Sequence, residues 1–367
     1  MTAKSALVGM SGGVDSSVAA ALLLEQGWAV TGVTMTLWDG PAAAPGTVVR
    51  GACYGPGEAD DVEAARSACA CLGIPFRTID LAADYRREVL DYVCDEYRAG
   101  RTPNPCVRCN RVIKFGGLVE AARRAGLEFD AFATGHYARV ERDPASGRYL
   151  LKKGLDPGKD QSYFLHRLTQ EQLAGVVFPL GEWTKERVRE RARAMGLPAA
   201  ERPESQDFLE EGASALRGGE ARPGPILDRS GRVLGEHAGI EHYTVGQRKG
   251  LGIGAPEPLY VLALDAGRNA VIVGPKSALG APGLTAGDLN WIAVPSLEGP
   301  RRAACRIRYR HREAPALLTP RGDEVLVQFD MPQPAVTPGQ SAVFYDGDTV
   351  LGGGVIREGW PASEERA

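Results

Sequence analysis

The sequence predicts an α/β chain: a parallel sheet covered by helices, then a small central β-rich module, then a C-terminal β-barrel. Three observations predict it. Strand-like and helix-like segments alternate up to about Pro203, the pattern of a parallel sheet with helices on both faces. After roughly Glu204, short alternating strands cut by Gly and Pro take over, as barrels and small sheets require. The first strand also enters the first helix through a glycine turn, at the carboxyl edge where such sheets bind ligands. The expected division is 1–204, 205–279 and 280–362. With 367 residues, 44% of them hydrophobic, the chain has room for two or three packed domains without disulfides.

The elements follow in order. Leu7-Val8-Gly9 is apolar strand, and Val18-Ala19-Ala20-Ala21-Leu22-Leu23-Leu24 is apolar helix ending at Gly27. Between them, Gly12 and Gly13 let the backbone bend sharply and bring N–H groups close to an anion, while Ser16 and Ser17 supply hydroxyls where the helix begins. Strand Ala29–Leu37, helix Ala59–Leu72, strand Phe76–Leu81, helices Asp84–Arg98 and Val112–Ala125 and strand Phe129–Thr134 continue the alternation. The Gly/Pro/Ala-rich stretch Asp39–Gly57 reads as a loop beside the glycine turn, and Val140–Leu151, broken at Asp143-Pro144-Ala145-Ser146-Gly147, as a hairpin. Thr184 is placed to cap a helix running to Met195. Tyr260–Leu264, Ala270–Val273, Glu324–Phe329 and Ser341–Tyr345 are strands of the later part.

Composition narrows the setting. A net charge of −3 gives no global reason to expect a polyanion, so local patches must carry that argument. Seven cysteines, an odd number with close pairs, suit a reduced cytosolic protein, and no apolar run approaches the ~20 residues that span a bilayer. With no basic-then-apolar leader, the expected location is the cytoplasm, away from membranes.

The turn lacks the Lys of the Gly-x-x-x-x-Gly-Lys-Ser/Thr loop, which disfavours an ordinary kinase or GTPase. Ser11-Gly12-Gly13-Val14-Asp15-Ser16 instead resembles the pyrophosphate loop of enzymes that split ATP into AMP and pyrophosphate. Downstream, Arg101-Thr102-Pro103-Asn104-Pro105-Cys106-Val107-Arg108-Cys109-Asn110-Arg111 sets two thiols on a proline-stiffened approach to a helix. Arg108, Arg111 and the helix start favour thiolate, the nucleophilic and metal-binding form. A Cys-x-x-Cys alone fits a redox couple, half a zinc or cluster site, or packing. Cys69, Cys71, Cys94 and Cys305 are read as packing residues.

Taken with Ala133-Thr134-Gly135-His136-Tyr137, Lys159-Asp160-Gln161-Ser162-Tyr163-Phe164-Leu165, Phe178-Pro179-Leu180-Gly181 and Tyr243-Thr244-Val245-Gly246-Gln247-Arg248-Lys249-Gly250, these motifs make the chain similar to the MnmA family of tRNA-specific 2-thiouridylases. The resemblance implies ATP at Gly9, Met10, Ser11, Gly12, Gly13, Val14, Asp15 and Ser16, near Met35 and Gly135, with Mg2+. It implies adenylation of the C2 oxygen of the wobble uridine and displacement of AMP by sulfur at Cys109, beside Cys106, the sulfur coming from a donor protein or free sulfide. It also implies tRNA contacts at Asn104, Pro105, Cys106, His136, Lys159, Asp160, Gln161, Arg308, Tyr309 and Gln340. The bland alternative for Asp160 is a helix cap. For His136 a positioning role is expected.

Two departures matter. The family pattern has Asp where this chain has Cys106, and a second cysteine where it has Leu209. Leucine neither accepts sulfur nor attacks, so a two-cysteine persulfide route does not carry over unchanged. Cys106 in place of Asp resembles a subgroup whose paired cysteines, with a third, hold a 4Fe-4S cluster that leaves one iron open to sulfide. Cys53, in Gly51-Ala52-Cys53-Tyr54, is the candidate third ligand beside Cys106 and Cys109.

For tRNA, Arg306-Ile307-Arg308-Tyr309-Arg310-His311-Arg312 places four arginines at spacing two, a phosphate comb if the segment is a strand. Two other readings stand: a different adenylating ligase with the same loop, which needs neither the thiols nor the arginines, and a tRNA-binding homologue that has lost sulfur transfer, which Leu209 motivates.

Overall fold

A computed structural model describes residues 3–40, 52–201, 207–209 and 222–361. The chain divides into two compact units, one of Met1–Val89, Cys106–Gly212 and Asp348–Val350, the other of Leu90–Pro105, Ala213–Gly347 and Leu351–Ala367.

In the first unit, β1 (Ser5–Gly9), β2 (Ala29–Thr36), β4 (Phe76–Asp80), β5 (Ala131–Thr134) and β8 (Val176–Val177) form a sheet in the order β4-β2-β1-β5-β8. Every pairing in it is parallel. The central strands are buried on both faces, which is why Ala6-Leu7-Val8 and Ala131-Phe132-Ala133 read as unbroken apolar runs. α1 (Val14–Glu25) is apolar around its whole circumference, with nearly every residue from Val14 to Leu23 buried. On one side its Ala20 and Leu23 pack with Ala6, Val8 and Val30, and on the other its Val14, Val18 and Leu22 pack with Tyr137, Leu180, Val188 and Ala192. α2 (Glu58–Leu72) comes so close to β2 that a Cβ at Gly32 would stand 2.5 Å from Cys69 Sγ. The expected hairpin is β6 (Ala138–Arg142) and β7 (Tyr149–Lys153), whose Lys152 pairs with Thr349. A short β3 (Ala52–Tyr54) pairs in parallel with β9 (Asp207–Leu209).

The second unit holds two β structures. β10 (Gly224–Leu227), β11 (Val233–His237), β12 (Tyr260–Asp265) and β13 (Ala270–Gly274) form a sheet in the order β11-β10-β13-β12 around Ile226, Val261, Val271 and Val273. β14 (Gly280–Trp291), β15 (Arg301–Arg306), β16 (Ala314–Arg321), β17 (Glu324–Pro334), β18 (Ser341–Asp346) and β19 (Thr349–Gly359) run in the order β14-β17-β16-β15-β18-β19, and β14 also pairs with β19. That pairing closes a barrel and leaves no open edge. The predicted fold class is therefore observed.

Three expectations need correction. The arginine comb is not on a strand: β15 ends at Arg306 and β16 begins at Ala314, so the segment between them turns. Arg306 is drawn into an ion pair with Glu313 at 3.0 Å and lies over the Tyr345 ring, while Arg308 donates to the carbonyls of Pro334 (2.9 Å) and Ala335 (2.6 Å). Of the four, Arg310 and Arg312 are exposed. Second, helix does not begin at Val112 but at Pro105, so both thiols lie within a helical turn instead of ahead of one. Proline explains the early start, since its fixed φ and missing N–H suit the first helical position. Third, Cys71 is exposed and does not pack in the core as expected; Cys69 and Cys305 do, and Cys94 is half-buried.

Candidate active site

The carboxyl ends of β1 and β5 lie side by side, Gly9 opposite Thr134, and the chain leaves both toward the same edge of the sheet. After β1, Gly12 adopts φ +71°, a left-handed conformation that costs glycine little, and the loop turns back into α1. Its hydroxyls are used to set its shape. Ser16 Oγ receives the Ser11 N–H (3.2 Å) and donates to the Gly13 carbonyl (3.1 Å); Ser17 Oγ donates to the same carbonyl (3.0 Å). Buried Thr34 on β2 donates to the Met10 carbonyl at 2.6 Å. Gly13 at the N-cap supplies no side-chain cap, so the first turn of α1 presents backbone N–H groups and the positive end of the dipole, a ready anion site.

The loop is backed by the turn after β5. A Cβ on Gly135 would lie 2.7 Å from the Asp15 carbonyl carbon and from Ser16 N, so only glycine permits this approach. Tyr137 follows, and its hydroxyl donates to Asp15 Oδ1 at 2.8 Å. The second partner of Asp15 is Lys185, whose Nζ lies 2.7 and 2.8 Å from the two carboxylate oxygens. Met35, half-buried, lies near the carboxyl end of β2, which is held by Glu58 accepting from Leu37 N at 2.6 Å and Trp38 N at 3.1 Å. Burial raises the Glu58 pKa.

The thiols sit on the helical segment that packs against this edge. α3 (Pro105–Cys109) continues through a wide π-helical stretch, Asn110–Gly117, into α4 (Leu118–Arg124). Such widening leaves carbonyls to be satisfied from outside, and Gln172 Nε2 donates to those of Arg111 (2.8 Å) and Phe115 (3.2 Å). Phe115 then packs against Phe132 of β5 and against His136, the neighbour of Gly135. One run of contacts thus leads from the helix bearing Cys106 and Cys109 to the glycine that backs the loop. Both thiols are half-buried. Arg108, between them on the same helical turn, donates to the Glu88 carbonyl at 2.8 Å and pairs with the Glu88 carboxylate at 3.0 Å.

Several expected tRNA contacts have structural partners. Asp160 is buried and accepts from Gly154 N, Ser162 N and Ser162 Oγ; the helix Ser162–Leu165 that follows has Gln161 at its N-cap and no side-chain cap, so the expected helix-capping alternative does not describe Asp160. Gln161 exchanges bonds with the Tyr137 backbone in both directions. His136 shares a 2.7 Å hydrogen bond with Thr134; burial, then nearby Lys114, hold its pKa well below the usual histidine value, so the ring is neutral at pH 7. Lys159 is half-buried on the turn before Asp160. In the second unit, Gln340 Nε2 donates to the carbonyls of Thr102 (2.9 Å) and Pro103 (3.1 Å), just ahead of half-buried Asn104 and Pro105. Tyr309 is half-buried in the turn after Arg308.

The metal expectations divide. Mg2+ takes one or two carboxylates together with substrate phosphates; Asp15 is the carboxylate beside the anion site, but Lys185 and Tyr137 already engage its oxygens, so the ion would be held chiefly by the nucleotide it arrives with. For a cluster, no group of three or more His, Cys, Asp or Glu side chains is gathered to hold a metal among the described residues. The side chains of Cys53 and Leu209 lie outside them; the backbone pairs Tyr54 with Leu209 and Ala52 with Asp207.

Lys185 and Tyr137 are the partners of Asp15 that the sequence does not single out. The signal was there for Lys185: a cation in the first turn of a helix opposes the dipole and needs a local anion to justify it.

A parallel sheet with a glycine-serine loop of this shape at its carboxyl edge defines a nucleotide-binding α/β protein of the pyrophosphate-loop kind. Comparison with known proteins is more specific. Residues 4–209 match the tRNA methyl transferase HUP domain, 212–275 the tRNA methyl transferase PRC-barrel domain, and 281–356 the aminomethyltransferase β-barrel domain. The chain is 51% identical to the tRNA-specific 2-thiouridylase MnmA of Geotalea uraniireducens, over 96% of this chain and 95% of that one. It is 48% identical to that of Endomicrobium trichonymphae, over 95% and 98%. The chain belongs to the tRNA-specific 2-thiouridylase MnmA family.

Proposed function

We propose that this protein is an ATP-dependent tRNA-uridine 2-sulfurtransferase. The observation that carries the reading is the continuity between the anion-binding loop at Gly9–Ser16 and the helix of Cys106 and Cys109, through Gly135, His136 and Phe115. An amide-like C2 oxygen leaves poorly until it is esterified. Adenylation by ATP, releasing pyrophosphate, makes it a leaving group, and AMP departs when sulfur attacks C2. The loop N–H groups of α1 hold phosphate, and Mg2+ arriving with the nucleotide offsets its charge. Cys109 is the sulfur-handling thiol and Cys106 its neighbour; neutral His136 positions the edge of the pocket.

With leucine at 209, a third thiol ligand beside Cys106 and Cys109 must come from elsewhere. Cys53, on the strand paired with the one that ends at Leu209, is the candidate cluster ligand. The three expected divisions take separate tasks in this reading: 1–204 the chemistry, 205–279 a bridging module, 280–362 tRNA binding. Sulfide, or a protein that carries it, is the donor, and the site of action is the cytoplasm; among the described residues no helix is long and apolar enough to cross a membrane.

The test uses protein purified without oxygen, with ATP, sulfide and unmodified tRNA, iron and sulfide being analysed alongside. Cys106→Ala and Cys109→Ala each abolish thiolation and keep tRNA affinity within about threefold. Thiolation that survives both changes rejects the thiol assignment, and tRNA binding without any thiolation by the unaltered protein favours the homologue that has lost sulfur transfer.

A further inference from the structure

The pyrophosphate loop poses an electrostatic problem. Asp15 puts a carboxylate in the first turn of α1, the same turn that must accept a polyphosphate carrying several negative charges. The loop itself contains no lysine or arginine between Gly9 and Ser17. The cation that faces Asp15 comes from 170 positions downstream, where Lys185 opens the helix α5 (Lys185–Ala194).

Its placement is unusual for a surface helix. Lys185 keeps only 10% of its side chain exposed, against 32% for Asp15, and its Nζ spans both carboxylate oxygens at 2.7 and 2.8 Å. The same Nζ lies 6.0 Å from the centre of the Tyr137 ring, and the Tyr137 hydroxyl takes Oδ1. Docking the helix does not require this pair. Val188 and Ala192 are buried in the apolar cluster with Val14, Val18 and Leu22; Thr184 Oγ1 caps the helix; and the Lys185 backbone N–H is held by Asp156 at 3.0 Å. A buried ion pair is in any case weak support for a fold, because desolvation offsets the attraction.

We infer that Lys185 is a positioning residue of the nucleotide site: it neutralises Asp15 and, with Tyr137, holds the carboxylate aside so that the loop accepts the phosphates of ATP. The inference rests on the reading of the loop as the ATP site and adds the group that makes that site electrostatically workable. The lysine that phosphate loops of the other kind carry within the motif is here delivered by a separate helix, and it acts through a carboxylate.

A double-substitution cycle tests it, with Mg·ATP affinity measured by calorimetry without tRNA on the full chain. Lys185→Met leaves Asp15 facing the phosphates alone and weakens Mg·ATP binding by on the order of tenfold or more, the scale of an uncompensated like charge in a binding site. In the Asp15→Asn background the same lysine change has little further effect, within about twofold. The double variant removes both charges of the pair, so it serves where Lys185→Met alone fails to fold. A purely structural lysine would lower the melting temperature and leave ATP affinity alone. Unchanged affinity in Lys185→Met, or an equal penalty whether or not the Asp15 charge is present, overturns the inference while the ATP site stands. Failure of the unaltered protein to bind Mg·ATP at all overturns both.

Discussion

Gly135 lacks a side chain because the backbone of Asp15 and Ser16 occupies the place where one would be, with 2.7 Å to the nearest atoms. Those neighbours are main chain and cannot rotate away. Gly135→Ala is therefore expected to cost about 1–3 kcal/mol of stability through overpacking, and to weaken ATP binding because the displaced atoms belong to the loop. A thermal melt and an ATP titration check both, and an unchanged ATP affinity would contradict the packing account. The thiols differ in the same local way. Cys69 and Cys305 are buried, and desolvation raises both, Cys69 to about 11. Their unfolded-state values are lower, so the stability they contribute is full below the ordinary thiol range and falls as pH climbs through it toward 11. Alkylation at about pH 8, near the ordinary thiol pKa, should label half-buried Cys106 and Cys109 and exposed Cys71 well before Cys69 or Cys305, as mass spectrometry of the native protein would show. The single-residue features legible in the sequence were those with a local cause: the glycines of the loop and Thr184 as a cap. Lys185 was not legible as a partner of Asp15, because nothing in sequence spacing says which anion a distant cation will meet.

At the scale of elements, close approach depends on small side chains. α2 lies on β2 where Gly32 meets Cys69 Sγ. Gly32→Ala should lower the melting temperature by the equivalent of about 1–3 kcal/mol, and Cys69→Ala in that background should recover part of the loss by removing the obstructing sulfur. No recovery would show that the strand, not the contact, requires glycine. The helix of the cysteine pair shows why element boundaries were misread. Periodicity after Arg111 suggested a start at Val112, yet Pro105 initiates the helix and a π-helical stretch, braced by Gln172, shifts the apolar face between Asn110 and Gly117. A one-period reading cannot see such a shift. The arginine run failed for a related reason. Alternation at spacing two is shared by a strand and by a turn whose arginines have separate errands: Arg306 to Glu313, and Arg308 to the carbonyls of Pro334 and Ala335.

For the whole molecule, the alternation of strands and helices followed by short β segments was enough to read the fold class, because each pattern reflects how much of an element must be buried. What did not show was the long-range bonding: Gln340 holding Thr102 and Pro103 in one unit, and Tyr137 and Lys185 holding Asp15 in the other. Recognition of tRNA belongs to this scale as well. Since Arg308 is occupied with backbone carbonyls, we propose the exposed Arg310 and Arg312 as the phosphate contacts of this turn. Replacing both by alanine should weaken tRNA binding and reduce the slope of log affinity against log salt by about 2. An unchanged slope would remove that turn from the interface. The most direct measurement of the central claim follows sulfur and nucleotide together: unmodified tRNA, Mg·ATP and sulfide are incubated with the protein without oxygen, and 2-thiouridine and AMP are quantified by mass spectrometry. Equal yields of the two, both lost in Cys109→Ala, are predicted; thiouridine formed without AMP, or formed undiminished by the Cys109→Ala protein, would contradict the account.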